Sequence, residues 1–252
     1  MDIQQLALRL DEAASSARPI GQLSQETAFD VETAYAIQKA SIAQRYDRGE
    51  SFIGLKLGFT SEAKMKQMGV SDMIWGRLTD SMLIRDGKLH LEKFIHPRAE
   101  PEICFYTRKK IDRAISLEEA PDYIDAIAPA IEIIDSRYEN FRFSLEDVIA
   151  DNCSSAALVV GRWHPVDTDV SDLSIRLLFN GDEKASGSSE AILGDPWRSV
   201  EAAARLATQY GIEIPAGSYI LAGAATAAVY LEPDVEVKAV VDKLGETSFH
   251  TI

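Results

Sequence analysis

Apolar and polar residues alternate over the first fifty positions in a way that predicts helices. Leu6, Leu8 and Leu10, followed by two alanines, predict a first helix that Pro19 and Gly21 end.

A second helix is predicted between Asp30 and Gly49, because Asp30 can cap its start and Gly49 can close it. Its apolar positions lie near helical spacing, at Val31, Tyr35, Ile42 and Tyr46. We therefore expect residues 1–51 to form a helical N-terminal segment that covers the rest of the chain.

From residue 52 onward the pattern changes to short apolar runs separated by turn residues. The runs that predict strands are FIGLKLG from residue 52 and residues 78–84, 103–107 and 131–134. Ser61 is expected to cap a short helix, SEAKMKQM, that Gly69 ends. Another helix is expected to begin at Ser144 in SLEDVIADN.

The C-terminal part contains the strongest hairpin signal. Strict alternation precedes the turn pair Asn180-Gly181, with apolar residues at Leu173, Ile175, Leu177 and Phe179. Asp195 and Pro196 predict the cap and first turn of a helix that continues to Tyr210. The run SYILAGAATAAVYL predicts one long apolar strand.

Length and composition are those of an ordinary globular protein. The 252 residues are 46% hydrophobic and 26% charged, so the chain can bury a full core. Together with the predicted elements, this indicates an α+β fold. In it, the helical segment 1–51 lies on a mixed, strand-rich body of residues 52–252.

Charge and hydropathy exclude several classes of partner. The formal net charge is −14 and no cluster of Lys and Arg is long enough to track phosphates, so nucleic acid is not expected as a partner. No apolar stretch approaches the roughly 18 residues of a membrane span, and the N-terminus does not resemble a signal peptide. The isolated cysteines Cys104 and Cys153 fit a reducing compartment. We expect a cytoplasmic protein with no membrane partner.

Three acidic residues are the main chemical candidates. Glu100 and Glu102 in HPRAEPEICFY alternate along an extended segment, so their carboxylates can point to one side while Pro101 faces away. Glu132 lies in another apolar run, PAIEIIDSRYENF. Three buried carboxylates need a compensating charge, and hard oxygen ligands favour Mg²⁺ or Mn²⁺. The alternative is that one or more of them lies on a solvated strand face.

Lys56 is the second candidate. In GLKLGFTS it faces the same way as Gly54 and Gly58, which leaves room around its ammonium. A partly desolvated lysine can bind a carboxylate or exchange a proton. The alternative is an edge-strand lysine that discourages aggregation.

Further polar residues follow Glu132. Arg137 offers a planar fork suited to a substrate carboxylate, but it could equally pair with Asp135 or Glu139. Asp151, Asn152, Ser154 and Ser155 form a polar group in ADNCSS, where they could bind substrate oxygens or terminate the preceding helix. No glycine-rich nucleotide motif occurs, and the four histidines show no ligand spacing.

Five segments resemble the 2-oxopent-4-enoate hydratase and 4-oxalocrotonate decarboxylase family, whose fold is of the fumarylacetoacetate hydrolase type. The segments are GLKLGFTSEAKMKQMGV, HPRAEPEICF, PAIEIIDSRYENFRF, VIADNCSS and IPAGSYILAGAATAAV. The resemblance extends from about residue 30 to the C-terminus. It implies a mixed β-sheet rolled around the active site, with Mg²⁺ or Mn²⁺ on Glu100, Glu102 and Glu132.

Within this family the chain resembles the decarboxylase branch. Hydratases of the family place an aspartate before an aromatic-glycine pair, whereas this chain has Ile74 before Trp75-Gly76. The runs KMKQMGV and IDSRYENF also resemble the decarboxylases. The implied reaction is the decarboxylation of 2-oxohex-3-enedioate to 2-hydroxypenta-2,4-dienoate in the meta-cleavage degradation of aromatic compounds. Hydration of 2-hydroxypenta-2,4-dienoate is the alternative, and a non-catalytic partner subunit is a third reading.

The resemblance also implies roles for single residues. The metal would bind the carboxylate and keto oxygens of the 2-oxo acid and polarise the ketone. Lys56 would be catalytic, stabilising the enolate or managing its proton. Substrate-binding positions are expected at Arg137, Asn152, Ser154 and Thr226.

Two short segments depart from the relatives. Gly194-Asp195-Pro196 stands where relatives have Gly-His-Pro, and Ala222-Gly223-Ala224 stands where they have Thr-Gly-Gly. We expect both changes to affect which substrate is bound more than they affect metal binding. The expected partners are a small anionic 2-oxo acid and further copies of the chain in a homo-oligomer, with a homologous hydratase as a further candidate.

Overall fold

The structure is a computed structural model that describes residues 1–60, 65 and 72–252. The helix expected over SEAKMKQM lies outside the described residues except for Met65. The helices are α1 (Ile3–Ser16), α2 (Leu23–Glu26), α3 (Val31–Asp47), α4 (Leu145–Ala150) and α5 (Trp197–Gln209).

The strands make up two sheets. They are β1 (Phe52–Gly58), β2 (Ile74–Thr79), β3 (Lys88–Leu89), β4 (Arg98–Thr107), β5 (Ile124–Ile134), β6 (Ser155–Val160), β7 (His164–Pro165), β8 (Ser174–Phe179), β9 (Asp182–Ser188), β10 (Tyr219–Leu221), β11 (Val229–Tyr230), β12 (Glu236–Val241) and β13 (Gly245–Thr251).

The first sheet has eight strands in the order β2-β1-β10-β4-β5-β6, with β11 also paired to β4 and β7 to β5. The second has five, in the order β3-β13-β12-β8-β9. Strands β1 and β10 run parallel, as do β3 and β13, whereas the other pairs are antiparallel. The sheets are therefore mixed, as the α+β prediction expected.

Apolar side chains form two large cores against the first sheet. One includes Ile131 and Ile133 of β5 with Phe179 and Phe249 of the second sheet. The larger one joins the N-terminal helices to the first sheet and to α4 and α5. The helices thus share a core with the strand-rich body, and the division at residue 51 remains a prediction.

Helix α3 is fastened to the sheet by one buried amide. The Gln38 side chain donates to the carbonyl oxygens of Trp75 and Ile149, at 3.0 and 2.9 Å, and accepts from the Arg77 guanidinium at 2.5 Å. Because an unpaired buried polar group is costly, this residue fixes the position of α3 relative to β2 and α4.

Several local predictions are confirmed by the cap and turn geometry. Asp30 accepts from the Thr33 N–H at the start of α3, and Ser144 begins α4 with a reciprocal capping box to Asp147. Asn180 and Gly181 both have positive φ, as a tight hairpin turn requires. The prediction for α5 is off by one residue, because Pro196 is its N-cap and not its first residue. The Asp195 carboxylate still accepts from the Trp197 N–H at the start of this helix.

Two strand predictions were wrong. Residues 78–84 do not form one strand, because β2 ends at Thr79 and a 3₁₀ turn, Asp80–Met82, follows. The run SYILAGAATAAVYL is not one long strand either. Only β10 and β11 at its two ends pair with β4, and the alanine-rich stretch between them leaves the regular ladder. Among the described residues, no helix is long and apolar enough to cross a membrane.

Arg137 lies in a buried network and not in a binding site. Its Nε bonds to the Asp151 carboxylate and its backbone N–H donates to the other oxygen of that group at 3.0 Å. Its Nη atoms donate to the carbonyl oxygens of Asp135, Ser155 and Asp151. The prediction of a substrate-binding Arg137 is therefore corrected, because its guanidinium is already saturated by these acceptors. The alternative of an internal ion pair is therefore correct, but the partner is Asp151 and not Asp135 or Glu139.

This network gives a prediction about stability. Arg137→Met should lower the free energy of unfolding by about 3–5 kcal/mol, because it leaves the Asp151 carboxylate buried and unpaired. Urea denaturation measures the change. Arg9→Met, which removes the exposed Arg9–Glu26 pair, is the matched control and should leave stability nearly unchanged. Equal losses in the two variants would contradict a structural role that is specific to Arg137.

Candidate metal centre

Three carboxylates converge on the paired strands β4 and β5. Glu100 lies directly opposite Glu132 in the antiparallel register, and Glu102 follows two residues later on the same strand. One oxygen of each carboxylate lies within 4.8 Å of the others. Glu102 and Glu132 are fully buried and Glu100 is 8% exposed. The solvated-face alternative is therefore wrong for all three.

The chemistry of these donors fits a hard divalent cation. Among the described residues, Glu102 Oε1 and Glu132 Oε1 are buried without a hydrogen-bond partner, while Glu102 Oε2 accepts from the Gly223 N–H at 2.8 Å. Carboxylate oxygens left unpaired inside a protein are costly unless a cation shares them. An all-oxygen set suits Mg²⁺ or Mn²⁺ better than a softer metal.

The electrostatics of the trio show the same demand for positive charge. Burial, together with repulsion from Glu132, raises the pKa of Glu102 well above its usual range. Burial also raises the pKa of Glu132 to about 7, although the Lys56 ammonium lowers it. Without a cation, Glu102 and Glu132 therefore tend to retain protons.

Lys56 of β1 provides a cation beside the trio. Its Nζ lies 3.0 Å from Glu132 Oε2 in a buried ion pair and donates to the Cys153 carbonyl oxygen at 3.2 Å. Burial lowers the pKa of Lys56, but Glu132 and the neighbouring acidic groups outweigh it, so the pKa is raised. The ammonium stays charged at neutral pH. The edge-strand alternative is wrong, since β1 lies between β2 and β10.

The glycines on either side of Lys56 were expected to leave room around its ammonium, but they have another role. A Cβ at Gly54 would lie 2.0 Å from the Tyr219 carbonyl oxygen, and one at Gly58 would lie 3.0 Å from the Ile74 side chain. The glycines thus allow β10 and Ile74 to approach β1 closely, and they do not make room around Lys56.

A left-handed turn presents the next group of residues to the site. Asn152, Cys153 and Ser154 have φ values of 49°, 53° and 59°, a conformation that non-glycine residues rarely adopt. The Asn152 side chain holds the turn by bonding to both the N–H and the carbonyl of Arg77, at 2.7 and 2.9 Å. This turn aims the Cys153 carbonyl at Lys56.

The two predicted residues of this turn have different places. Asn152 is used up in its contacts with Arg77 and does not line the cavity beside the trio, so its predicted substrate contact is corrected. Ser154 does line the cavity, and its buried Oγ has no partner among the described residues. Burial raises the pKa of Cys153 to about 12, so its thiol stays protonated and donates to the Trp75 carbonyl.

A cavity of about 600 Å³ opens above Lys56 and Glu100. Its walls are largely apolar and include Phe59, Ile74, Ile134, Phe143 and Val148. Such a mixture of apolar walls and a few convergent charges is typical of small-molecule sites.

Thr226 and the two segments that differ from the relatives can be located relative to this cavity. Thr226 lies next to cavity residues but does not line the cavity, and its Oγ1 donates to the Ala227 carbonyl. Ala224 lines the wall, whereas the Ala222 carbonyl accepts from the Ser199 hydroxyl. The Asp195 carboxylate bonds to the first residue of α5. Of the departures, Ala224 alone borders the space that a ligand would occupy.

Sequence reasoning missed three contributors. Arg98 and Arg142 line the cavity, and the Gly223 N–H bonds to Glu102. Arg98 could have been found, because it extends the alternation of Glu100 and Glu102 by one step along the same strand. Arg142 and Gly223 could not, since they reach the site through irregular segments.

Comparison with known proteins agrees with this geometry. The sequence model described as fumarylacetoacetate (FAA) hydrolase C-terminal matches residues 52–250. A 4-oxalocrotonate decarboxylase from a Pseudomonas species is 52% identical over 252 residues, which is all of this chain and 98% of the relative. A 2-hydroxyhexa-2,4-dienoate hydratase from Comamonas testosteroni is 32% identical over 247 residues, covering 95% of this chain and 94% of that protein.

A solved structure shows the same fold over its whole length. The 4-oxalocrotonate decarboxylase from Pseudomonas putida G7, complexed with magnesium and adipate, superposes with a TM-score of 0.95. It is 34% identical, and the match covers 99% of this chain and 97% of that one. The site, the fold and the sequence therefore lead to one conclusion: the chain belongs to the fumarylacetoacetate hydrolase family.

Proposed function

We propose that this protein is a metal-dependent decarboxylase that converts 2-oxohex-3-enedioate to 2-hydroxypenta-2,4-dienoate and CO₂. The observation that supports it most directly is the convergence of three buried carboxylates and Lys56 beneath an apolar cavity. The 52% identical relative is a 4-oxalocrotonate decarboxylase. The substrate class is a small anionic 2-oxo acid.

The carboxylates of Glu100, Glu102 and Glu132 would hold Mg²⁺ or Mn²⁺. The relative complexed with magnesium supports this assignment. Bound there, the cation would supply Lewis acidity that draws electron density from the 2-oxo group. The net negative charge of the molecule repels an anionic substrate, so local cations are needed to bind it.

Lys56 is placed to manage the charge that the reaction creates. Loss of CO₂ breaks the bond between C5 and C6, and its electron pair moves through C4 and C3 to the 2-oxo oxygen. A buried ammonium stabilises negative charge on that oxygen and can deliver a proton to it. The apolar walls exclude water, which strengthens this interaction.

Hydration of 2-hydroxypenta-2,4-dienoate is the second candidate, because a hydratase is 32% identical to this chain. Addition of water needs a positioned acid or base. The residue that lines the cavity at the hydratase aspartate position is Ile74, which cannot transfer a proton. This observation favours decarboxylation.

A direct assay separates the two reactions. With Mg²⁺ present, 2-oxohex-3-enedioate should release CO₂, whereas 2-hydroxypenta-2,4-dienoate should not take up water at a comparable rate. Gas-phase detection of CO₂ and mass spectrometry in H₂¹⁸O measure the two products. Rapid incorporation of ¹⁸O without release of CO₂ would establish the hydratase instead. Mg²⁺ binding with neither reaction would favour a non-catalytic partner subunit.

Removal of one carboxylate charge tests the metal. Glu102→Gln should abolish turnover and weaken Mg²⁺ binding, because it replaces an anionic ligand with a neutral one. The fold should persist, since an uncharged side chain is easier to bury and can still accept from Gly223. Calorimetry and thermal unfolding measure both effects. The exposed Glu118→Gln is the control, and full activity of Glu102→Gln under chelator would remove the metal from the mechanism.

A lysine substitution tests proton management. Lys56→Met should lower kcat by about two to four powers of ten, the usual contribution of a positioned acid or base. Mg²⁺ affinity should not fall, because the variant removes a positive charge from beside the trio. Lys109→Met, at an exposed lysine, is the matched control. A variant that lost Mg²⁺ binding and activity together would assign Lys56 to the metal site alone.

Assembly remains a prediction from the resemblance, and a cytoplasmic location remains a prediction from the isolated cysteines. We propose a cytoplasmic homo-oligomer, and association with a homologous hydratase would allow the dienoate product to pass directly to the next reaction. Sedimentation of the purified protein alone and with such a hydratase tests both forms of association.

A further inference from the structure

Arg98 is a cavity cation that the proposed mechanism leaves unused. It lies on β4 two residues before Glu100 and lines the cavity. Exposure rises along this strand, since Glu102 is fully buried, Glu100 is 8% exposed and Arg98 is partly exposed. Arg98 therefore lies on the mouth side of the carboxylate trio.

The Arg98 guanidinium is held in place by aromatic rings. Its central carbon lies 3.9 Å from the ring centroid of Phe141 and 4.1 Å from that of Tyr230, and one Nη donates to the Tyr230 hydroxyl. Ring contacts of this kind occupy the faces of the guanidinium and leave its N–H edge available. The side chain is thus oriented before any ligand arrives.

The N–H edge of Arg98 has few acceptors. In the described part of the chain its Nε is buried without a hydrogen-bond partner, and no carboxylate lies within ion-pair distance. Lys56, by contrast, is paired with Glu132. Arg142 also lines the cavity, but its side chain is exposed and forms no hydrogen bond with the described residues. Among the cavity residues that the structure describes, Arg98 is the cation that is both held in orientation and without a carboxylate partner.

We propose that Arg98 binds the distal carboxylate of the substrate and selects dicarboxylates over monocarboxylates. This inference rests on the proposed function, which places the 2-oxo acid head at the trio. Two residues of a strand span about 6.6 Å, a distance that a six-carbon diacid can bridge from the Glu100 side to Arg98. A planar guanidinium recognises a carboxylate with two parallel hydrogen bonds.

The proposed contact between Arg98 and the distal carboxylate does not persist through the reaction. The distal carboxylate is the group that leaves as neutral CO₂, so its bond to Arg98 weakens as the reaction proceeds. The interaction therefore stabilises bound substrate more than the transition state. The product lacks this carboxylate, loses the contact and is released more easily than the substrate is.

Binding of two analogues tests the proposal. 2-Oxoadipate and 2-oxohexanoate share the 2-oxo acid head, and only the first has a distal carboxylate. In the presence of Mg²⁺, calorimetry should show Arg98→Met binding 2-oxoadipate about ten- to a hundredfold more weakly, as expected for loss of a charge-assisted pair, with 2-oxohexanoate unchanged. Arg162→Met, at an exposed arginine that does not line the cavity, is the matched control and should change either affinity less than threefold. Arg142→Met tests the neighbouring cavity cation. Equal weakening for both analogues, or a loss that follows Arg142, would overturn the assignment.

Kinetics gives an independent readout. With 2-oxohex-3-enedioate, Arg98→Met should raise KM by a similar factor without lowering kcat, because the contact that it removes is stronger in bound substrate than in the transition state. A fall in kcat at unchanged KM would contradict the proposal. Arg98→Lys keeps the charge without the fork and should recover part of the affinity, and it serves as the test if Arg98→Met does not fold. A wild-type protein that binds 2-oxoadipate but releases no CO₂ would disprove the proposed function and leave the selectivity measurable.

Discussion

Concentration of negative charge on two adjacent buried strands is the constraint on which this site depends. Glu100 and Glu132 face each other across β4 and β5, and Glu102 adds a third carboxylate two residues away. Lys56 neutralises only part of this charge. A buried excess of negative charge raises carboxylate pKa values, as it does at Glu102 and Glu132, until a cation takes the place of the protons. The same excess that makes the trio unfavourable on its own would make it bind a divalent ion strongly.

The surrounding structure supports this arrangement with elements that are themselves unusual. Asn152, Cys153 and Ser154 form three successive left-handed residues, and the Asn152 amide holds them against β2. The turn directs a carbonyl to Lys56, so that the ammonium is fixed from two sides. Backbone strain of this kind persists only where neighbouring contacts over-determine it, and it commonly occurs at functional sites.

Local signals in the sequence predicted those parts of the fold that depend on neighbouring residues. Asp30, Ser144 and Asn180-Gly181 act through contacts within a few positions, so the helix starts and the hairpin were predictable. The glutamate trio was also predictable, because alternation along a strand and burial follow from the adjacent apolar residues. The structural role of Arg137 was not predictable, because the hydrogen-bond acceptors around its guanidinium are Asp151 and carbonyl oxygens that only tertiary packing brings close. The apolar composition of SYILAGAATAAVYL led to the wrong prediction of one long strand, because several of its alanines line the cavity and do not continue a strand.

The interruption of that last strand explains how a sheet can contain a binding site. On one side of β4, β10 pairs only with Cys104–Tyr106 positions and β11 only with Ala99 and Arg98. Pro101, which has no N–H to donate, lies in the gap between them, where a regular ladder would require that donor. Within the gap the chain turns at Gly223, whose φ is +105°, and its N–H binds the Glu102 side chain at 2.8 Å. A Cβ at Gly223 would lie 2.1 Å from Thr60 Oγ1, so the turn depends on glycine. Because backbone pairing is interrupted here, the Gly223 N–H is free to position the Glu102 carboxylate. The same interruption opens the wall of the cavity.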